Sequence, residues 1–275
     1  MRYSLLALLP LLLTACAGRE PALPPGAAYV AMGSSFAAGP GLPPYVAGAP
    51  SRCTRSTHNY AHQLASKRGL ALVDATCSGA TTGAVLDGWN ELPAQVAAIT
   101  PDTRLVTLTI GGNDVRYIGN MISISCRVVA AEKGQPTDRC SAPSWPDEAG
   151  FQHLAGSLDR IASEVRRRAP KAILVFVDYV SVLPPSGTCA ATPLPVADAD
   201  RLRETDRHVR ELTATAAKQA GALLLKASDL SREHSACGVE PWMNGYPAPT
   251  GMAPYHPNLA SMTAVAEALD RLLPR

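Results

Sequence analysis

Four short stretches hold residues whose types suit one piece of chemistry. Residues 29–39 read YVAMGSSFAAG, where an apolar run ends at Gly33 and is followed by Ser34 and Ser35. A serine hydroxyl is a weak nucleophile at neutral pH and needs a base for its proton and donors for the oxyanion it creates. Ser35 has small neighbours, and Gly33 permits a tight turn that would present the hydroxyl. Residues 77–83, CSGATTG, offer Gly79, whose backbone N–H can meet a substrate without a side chain in the way. Residues 109–114, TIGGND, offer Asn113, a neutral donor suited to developing negative charge and worth about 3 kcal/mol in a transition state. The base is expected to be a histidine, and His256 stands in APYHPN close to the end of the chain.

Other reactive types read more plainly. His58 and His62 are spaced as metal ligands on a helix are, but HNYAH lacks the glutamate of a zinc-protease motif and no third ligand is evident. They are expected to cap or to lie on the surface. Asp114 is expected to organise its own turn, and Trp89, Trp145 and Trp242 to pack. His153, His208 and His234 are expected to be exposed or locally hydrogen-bonded. No metal and no cofactor is required by these residues.

These stretches need elements to position them. Short apolar runs at 28–32, 70–75, 105–110, 172–177 and 222–226 suit strands buried on both faces. Helical patterns lie between them, over 58–68 with Ser56-Thr57 as cap, 92–99, 151–168, 200–220 and 258–273. Alternating strands and helices predict an α/β fold with a parallel sheet and helices on both sides. In such sheets ligands bind beyond the carboxyl ends of the strands. Ser35, Gly79 and Asn113 each follow a strand, so they share that edge. The connections at 36–56, 115–150 and 182–198 are expected to be long loops shaping the pocket.

The blocks GSSFAAGPG, CTRSTHNYAHQLA, DATCSGATT, LVTLTIGGND and HPN, in this order, resemble the SGNH or GDSL-like hydrolases. Within that family the chain is most similar to secreted bacterial lipases and esterases with three disulfides. The matching stretches run over nearly all of residues 28–273. The resemblance implies a three-layer, flavodoxin-like α/β/α fold with five mainly parallel strands. It also implies hydrolysis of carboxylic esters without a metal. Ser35 would be the nucleophile and His256 the base, with Ser35 N–H, Gly79 N–H and Asn113 forming the oxyanion hole. Two positions depart from the family pattern. Ser34 replaces the Asp of Gly-Asp-Ser, and Ala253 replaces the Asp three residues before the histidine. The backbone carbonyl of Ala253 is expected to orient His256 instead, with Asp178 as a lesser candidate. GSSFA is not the G-x-S-x-G elbow of α/β-hydrolases.

The first residues, MRYSLLALLPLLLTAC, read as a secretory signal too short to remain as a membrane span. Leu13-Thr14-Ala15-Cys16 resembles a bacterial lipobox, which places a signal peptide over 1–15, a lipidated Cys16, a Pro-rich tether over 16–27 and one catalytic domain over 28–275. The chain is expected to be exported and lipid-anchored to a bacterial membrane, in the periplasm or at the cell surface. Seven cysteines minus Cys16 leaves six, an even number that suits an oxidising compartment. Spacing leaves their connectivity open. The resemblance implies Cys53–Cys77, Cys126–Cys140 and Cys189–Cys237. A net charge of +2 with 17% charged residues gives no reason to invoke nucleic acid. A monomer acting on a small-molecule or lipid ester is expected. Two rival functions are a polysaccharide O-acetyl esterase and a lipoprotein that keeps the scaffold for binding alone.

Overall fold

The structure, a computed structural model, describes residues 23–275. The expected signal peptide, Cys16 and the first part of the expected tether lie outside the described residues. The tether's last residues already belong to the domain. Leu23 and Ala27 are buried, and Gly26 N–H donates to the Gly69 carbonyl at 2.7 Å.

Five strands form one sheet: β1 (Ala28–Gly33), β2 (Ala71–Asp74), β3 (Thr103–Thr109), β4 (Ile173–Val177) and β5 (Leu223–Leu225). Their order is β2-β1-β3-β4-β5 and every pairing is parallel. The chain moves from β1 to one edge, then returns across β1 to build toward the other edge. The crevice between β1 and β3 is therefore the switch point at which open α/β sheets bind ligands.

The helices are α1 (Ser35–Ala38), α2 (Tyr60–Arg68), α3 (Thr82–Leu86), α4 (Tyr117–Glu132), α5 (Glu148–Arg168), α6 (Val196–Gln219), α7 (Ala227–Leu230) and α8 (Leu259–Leu272). Right-handed crossovers that run in opposite directions from the centre put their helices on opposite faces. Thus α2, between β1 and β2, lies on one face and packs on α8. On the other face α5 packs on α3 and α6. This is the expected three-layer architecture.

Strands β1, β3 and β4 are buried along almost their whole length. β2 and β5 are not, contrary to the reading of all five runs as doubly covered. Each is an edge, and Val73 of β2 is 51% exposed. Helix starts also differ. Asn59 caps α2 by accepting from His62 N–H at 2.9 Å, while the Ser56 hydroxyl is committed to the Leu42 carbonyl. No α-helix spans 92–99, because Leu92 exchanges two backbone hydrogen bonds with Trp89; a short 3-10 turn, Gln95–Ala98, replaces it. α4 occupies half of the stretch expected as a loop. Its N-cap, Arg116, sits at φ 53° without a side-chain cap, so no start signal marks it.

The disulfides join Cys53 to Cys77, Cys126 to Cys140 and Cys189 to Cys237. The first matters most for the site. It fixes the start of the turn that carries Gly79, and the Cys53 carbonyl accepts from Ser78 N–H at 3.1 Å.

Candidate active site

The last residue of β1 decides where the serines stand. A Cβ on Gly33 would lie 2.4 Å from the Thr109 carbonyl oxygen, so only glycine lets β1 run this close to β3. The Gln95 side chain grips the same peptide from both sides. It accepts from Gly33 N–H at 2.7 Å and donates to the Gly33 carbonyl at 3.0 Å. The chain then turns into α1, whose first residue is Ser35.

Ser35 Oγ lies 2.8 Å from His256 Nε2, across 221 residues of chain. Ser34 points elsewhere, its hydroxyl 3.4 Å from Tyr179 Oη. Of the two serines, Ser35 alone faces the imidazole. His256 Nδ1 is 2.7 Å from the Pro254 carbonyl. A carbonyl only accepts, so Nδ1 carries the proton and Nε2 turns its lone pair to the hydroxyl. Burial pushes the imidazole below its ordinary value of 6.5, and the bond to Pro254 partly opposes this.

The orienting carbonyl belongs to Pro254 and not to Ala253, which corrects the expectation. Tyr255 adopts φ 57°, a left-handed conformation that folds the preceding Pro254 peptide under the ring. The Ala253 carbonyl instead accepts from Asn244 Nδ2 at 3.0 Å. Further bonds hold the loop. Asn244 N–H donates to the His256 carbonyl at 3.0 Å, Asn258 N–H to the Trp242 carbonyl at 2.8 Å, and Tyr255 Oη meets Ser125 Oγ at 2.6 Å.

Two further turns supply donors. Asn113 Nδ2 donates one hydrogen to the Ala80 carbonyl at 2.8 Å, which leaves its second N–H. Ala80 follows Gly79, so this bond sets the two candidate donors in register with each other. Asp114 ties the same turns together by accepting from Thr82 N–H and Thr82 Oγ at 3.1 and 2.5 Å. Gly79, at φ +84°, is exposed, and among the described residues its N–H and that of Ser35 have no acceptor. Donors of this kind can stabilise an oxyanion on a carbon attacked by Ser35.

Two neighbours of the site are not among the residues singled out from the sequence. Gln95 lies in a plain QVAA run. Tyr179 directly follows Asp178 at the end of β4, a position that does signal the ligand-binding edge. Tyr179 Oη accepts from Gly112 N–H at 2.8 Å, and its ring lies 4.7 Å from Phe36, the residue after Ser35. Burial pushes the phenol up to about 12, so it stays protonated. It links the asparagine turn to the serine turn. Asp178 is not near this role. Both its oxygens accept from Ser228, N–H at 2.8 Å and Oγ at 2.7 Å, and burial pushes it up to about 6.

The remaining candidates take local partners. His58 Nδ1 is 3.1 Å from the Pro43 carbonyl, and His62 Nε2 is 3.4 Å from Asp74. His234 stacks on Trp242 and His208 on Phe151, while His153 is exposed. Arg201 covers Trp145 and Arg52 covers Trp89. No cluster of three His, Cys, Asp or Glu able to hold a metal occurs among the described residues.

Comparison with known proteins gives the family and the fold. The GDSL-like lipase/acylhydrolase family profile matches residues 31–264. Lipase 2 of Streptomyces coelicolor is 32% identical over 251 residues, covering 87% of this chain and 83% of that one. The crystal structure of a phospholipase A1 from Streptomyces albidoflavus superposes with a TM-score of 0.72 at 25% identity, covering 90% of this chain and 99% of the other. That of an extracellular lipase from Streptomyces rimosus gives the same TM-score and identity and covers 90% and 100%. The chain belongs to the GDSL-like lipase/acylhydrolase family.

Proposed function

We propose that this carboxylic ester hydrolase works through a Ser35–His256 dyad and a covalent acyl-enzyme. The observation that carries the reading is the 2.8 Å contact between Ser35 Oγ and His256 Nε2, with His256 Nδ1 held at 2.7 Å from the Pro254 carbonyl. Ser35 Oγ attacks the ester carbonyl carbon while His256 Nε2 takes its proton. The carbonyl oxygen becomes an oxyanion held by Ser35 N–H, Gly79 N–H and the free N–H of Asn113. The intermediate collapses, the C–O bond to the alcohol breaks, and His256 gives that alcohol its proton. Water, deprotonated by His256, then attacks the acyl carbon and releases the acid and Ser35. The Pro254 carbonyl stabilises the transient imidazolium less than a carboxylate would.

Lipid or other acyl esters are the first substrate class, supported by the relatives named lipases and phospholipase A1. The binding-only reading is disfavoured by an assembled dyad with unspent donors beside it. Wild-type enzyme should turn over short p-nitrophenyl esters with an initial burst of one nitrophenol per chain. Absence of turnover would contradict the reading.

Three smaller effects follow from the same geometry. Asn113→Ala should lower kcat by about 10²–10³, as loss of one oxyanion donor does, with KM little changed. The pH profile of kcat/KM should show a single acid limb below 6.5, because only neutral His256 accepts the proton and burial lowers its titration. Activity is full above that limb and is lost as pH falls through it. A midpoint above 6.5 would contradict the assignment. Tyr179→Phe leaves the Gly112 N–H unpaired in a buried turn, which costs about 1–3 kcal/mol; kcat should fall about tenfold with KM held. A lowered Tm with kcat intact would make Tyr179 a packing residue only.

Export is supported by the three disulfides and by the extracellular relative from Streptomyces rimosus. We place the signal peptide over 1–15 and a lipid on Cys16. The mass of the mature N-terminus tests this, and an unmodified residue there would refute it.

A further inference from the structure

The edge of the sheet opposite the candidate active site is basic. β2, β4 and β5 start there, so α2, α5 and α6, which lead into them, end there. α8 ends there too, since Arg68 of α2 holds its Asp270 at 2.6 Å. Asp270 pairs with both Lys67 and Arg68, and Glu164 with both Arg167 and Arg168, so each acid leaves one positive charge over. Bases at helix ends also satisfy backbone carbonyls, and Arg166 does so at Ala172, Ala220 and Gly221. That role does not account for Lys171 and Lys218, which are exposed, nor for Arg104, whose one bond among the described residues is to the Pro101 carbonyl at 3.4 Å. Asp102 is an exposed acid beside them. Arg104, Arg166 and Lys171 share a cleft of about 440 Å³ with the apolar Ile173, Leu174 and Leu223. The whole chain carries only +2, so the basic excess at this edge leaves the remaining surface acidic.

The chain enters the domain at this same edge. Leu23 and Ala27 are buried, Gly26 N–H donates to the Gly69 carbonyl just past α2, and β1 then runs away from the edge toward Ser35. Cys16 precedes Leu23 by seven residues, which span at most about 25 Å. α5 and α6 are 21 and 24 residues long, so the molecule extends about 32–36 Å from the edge at which they end. The tether is shorter than the molecule is tall. A domain held through Cys16 cannot lay its active site on the surface that holds it.

We propose that this basic edge docks on an anionic lipid surface and holds the active site facing away from it. The ester hydrolysed is then a soluble one or one on a facing surface, and not a lipid of the layer that carries the enzyme. The docking rests on the described residues; the consequence for the substrate rests also on the Ser35–His256 reading. Each Lys or Arg near an anionic leaflet strengthens binding about fivefold, and the effect fades beyond a Debye length, about 10 Å at 0.1 M salt. Two observations favour a lipid surface over a soluble anion. The cleft sets its bases beside apolar side chains, as a headgroup and the start of its chains require. The end of the chain that carries the proposed anchor enters at the same edge.

The mature chain carrying Cys16→Ser, exported without a lipid, is sedimented with vesicles of mixed phosphatidylglycerol and phosphatidylcholine or of phosphatidylcholine alone. It should bind the anionic vesicles at low salt and leave them at high salt. Lys171→Gln combined with Lys218→Gln should weaken that binding about 25-fold, with hydrolysis of p-nitrophenyl butyrate kept. Three tryptophans on the far edge report which way the bound molecule faces. Trp89 stands against Gly79, the Trp242 carbonyl accepts from Asn258 N–H beside His256, and Trp145 follows Ser144, whose N–H donates to Asn120 of α4. Their emission should stay unquenched when the wild type sits on anionic vesicles with brominated acyl chains. Those vesicles should release no fatty acid while p-nitrophenyl butyrate is turned over. Equal binding to both kinds of vesicle, or binding that the double variant keeps, overturns the docking. Quenched tryptophans, or hydrolysis of the vesicle's own lipid, overturn the orientation. Retention on a soluble polyanion such as heparin without vesicle binding overturns the proposal in favour of another partner. A chain that docks as expected but hydrolyses no ester would remove the dyad reading and leave the docking standing.

Discussion

Ser35→Ala lowers kcat/KM for p-nitrophenyl butyrate by about 10⁴-fold or more, to the residue of rate that binding and the oxyanion donors supply alone. The variant keeps its fold. Ser35 begins α1 without capping it through its side chain, since α1 has no side-chain cap. Among the described residues the hydroxyl's one close partner is His256. Thermal unfolding should therefore shift little while turnover disappears. Ser34→Ala is the matched control. Among the described residues its hydroxyl bonds only Tyr179 Oη, at 3.4 Å, so its loss should cost far less activity. An equal loss in both variants would mean that the serine turn and not one hydroxyl is what matters.

His256→Ala should be comparably damaging, about 10⁴-fold or more in kcat. Among the described residues the Ser35 hydroxyl then loses its one hydrogen-bond partner, and Asp178 is occupied by Ser228. The two changes should not add. Groups that act as a unit fail together, so the double variant should match either single one to within about tenfold. Additive losses would show that serine and histidine contribute separately, which a dyad forbids.

The main layout was legible because its causes are local. Three glycine-bearing turns follow three apolar runs, and a parallel sheet brings such turns to one edge whatever the loops do. His256 was legible only by its type and its family position, since nothing nearby in sequence says that residue 256 returns to residue 35. What orients it was not legible. Ala253 and Pro254 both carry carbonyls, and the choice between them goes with the left-handed Tyr255, a non-glycine residue whose hydroxyl is bonded to the distant Ser125. α4 was missed because its cap is a left-handed arginine and its sequence, YIGNMISISC, mixes β-branched residues with glycine. The exposure of β2 was missed because an edge strand with a single covered face is composed like a central one; its Val73 looks buried on paper. Gln95 was invisible for a different reason. A glutamine in a short turn gives no sign that it grips a peptide 62 residues away.

The neutral acceptor on His256 gives this site a character of its own. The imidazole starts with its pKa lowered by burial, and no carboxylate raises it. It stays ready to accept a proton at mildly acidic pH, but the imidazolium formed during attack is less well stabilised. In the proposed mechanism the donors at Gly79 and Asn113 would then carry a larger share of the barrier lowering.

The most direct test of the central claim is to trap the acyl position. Wild-type enzyme treated with an alkyl p-nitrophenyl phosphonate should gain the mass of one phosphonyl group, and peptide mapping should place it on Ser35. Ser35→Ala should gain none, and His256→Ala should react far more slowly. An adduct on Ser34 or elsewhere, or no adduct on an enzyme that still hydrolyses esters, would contradict the account.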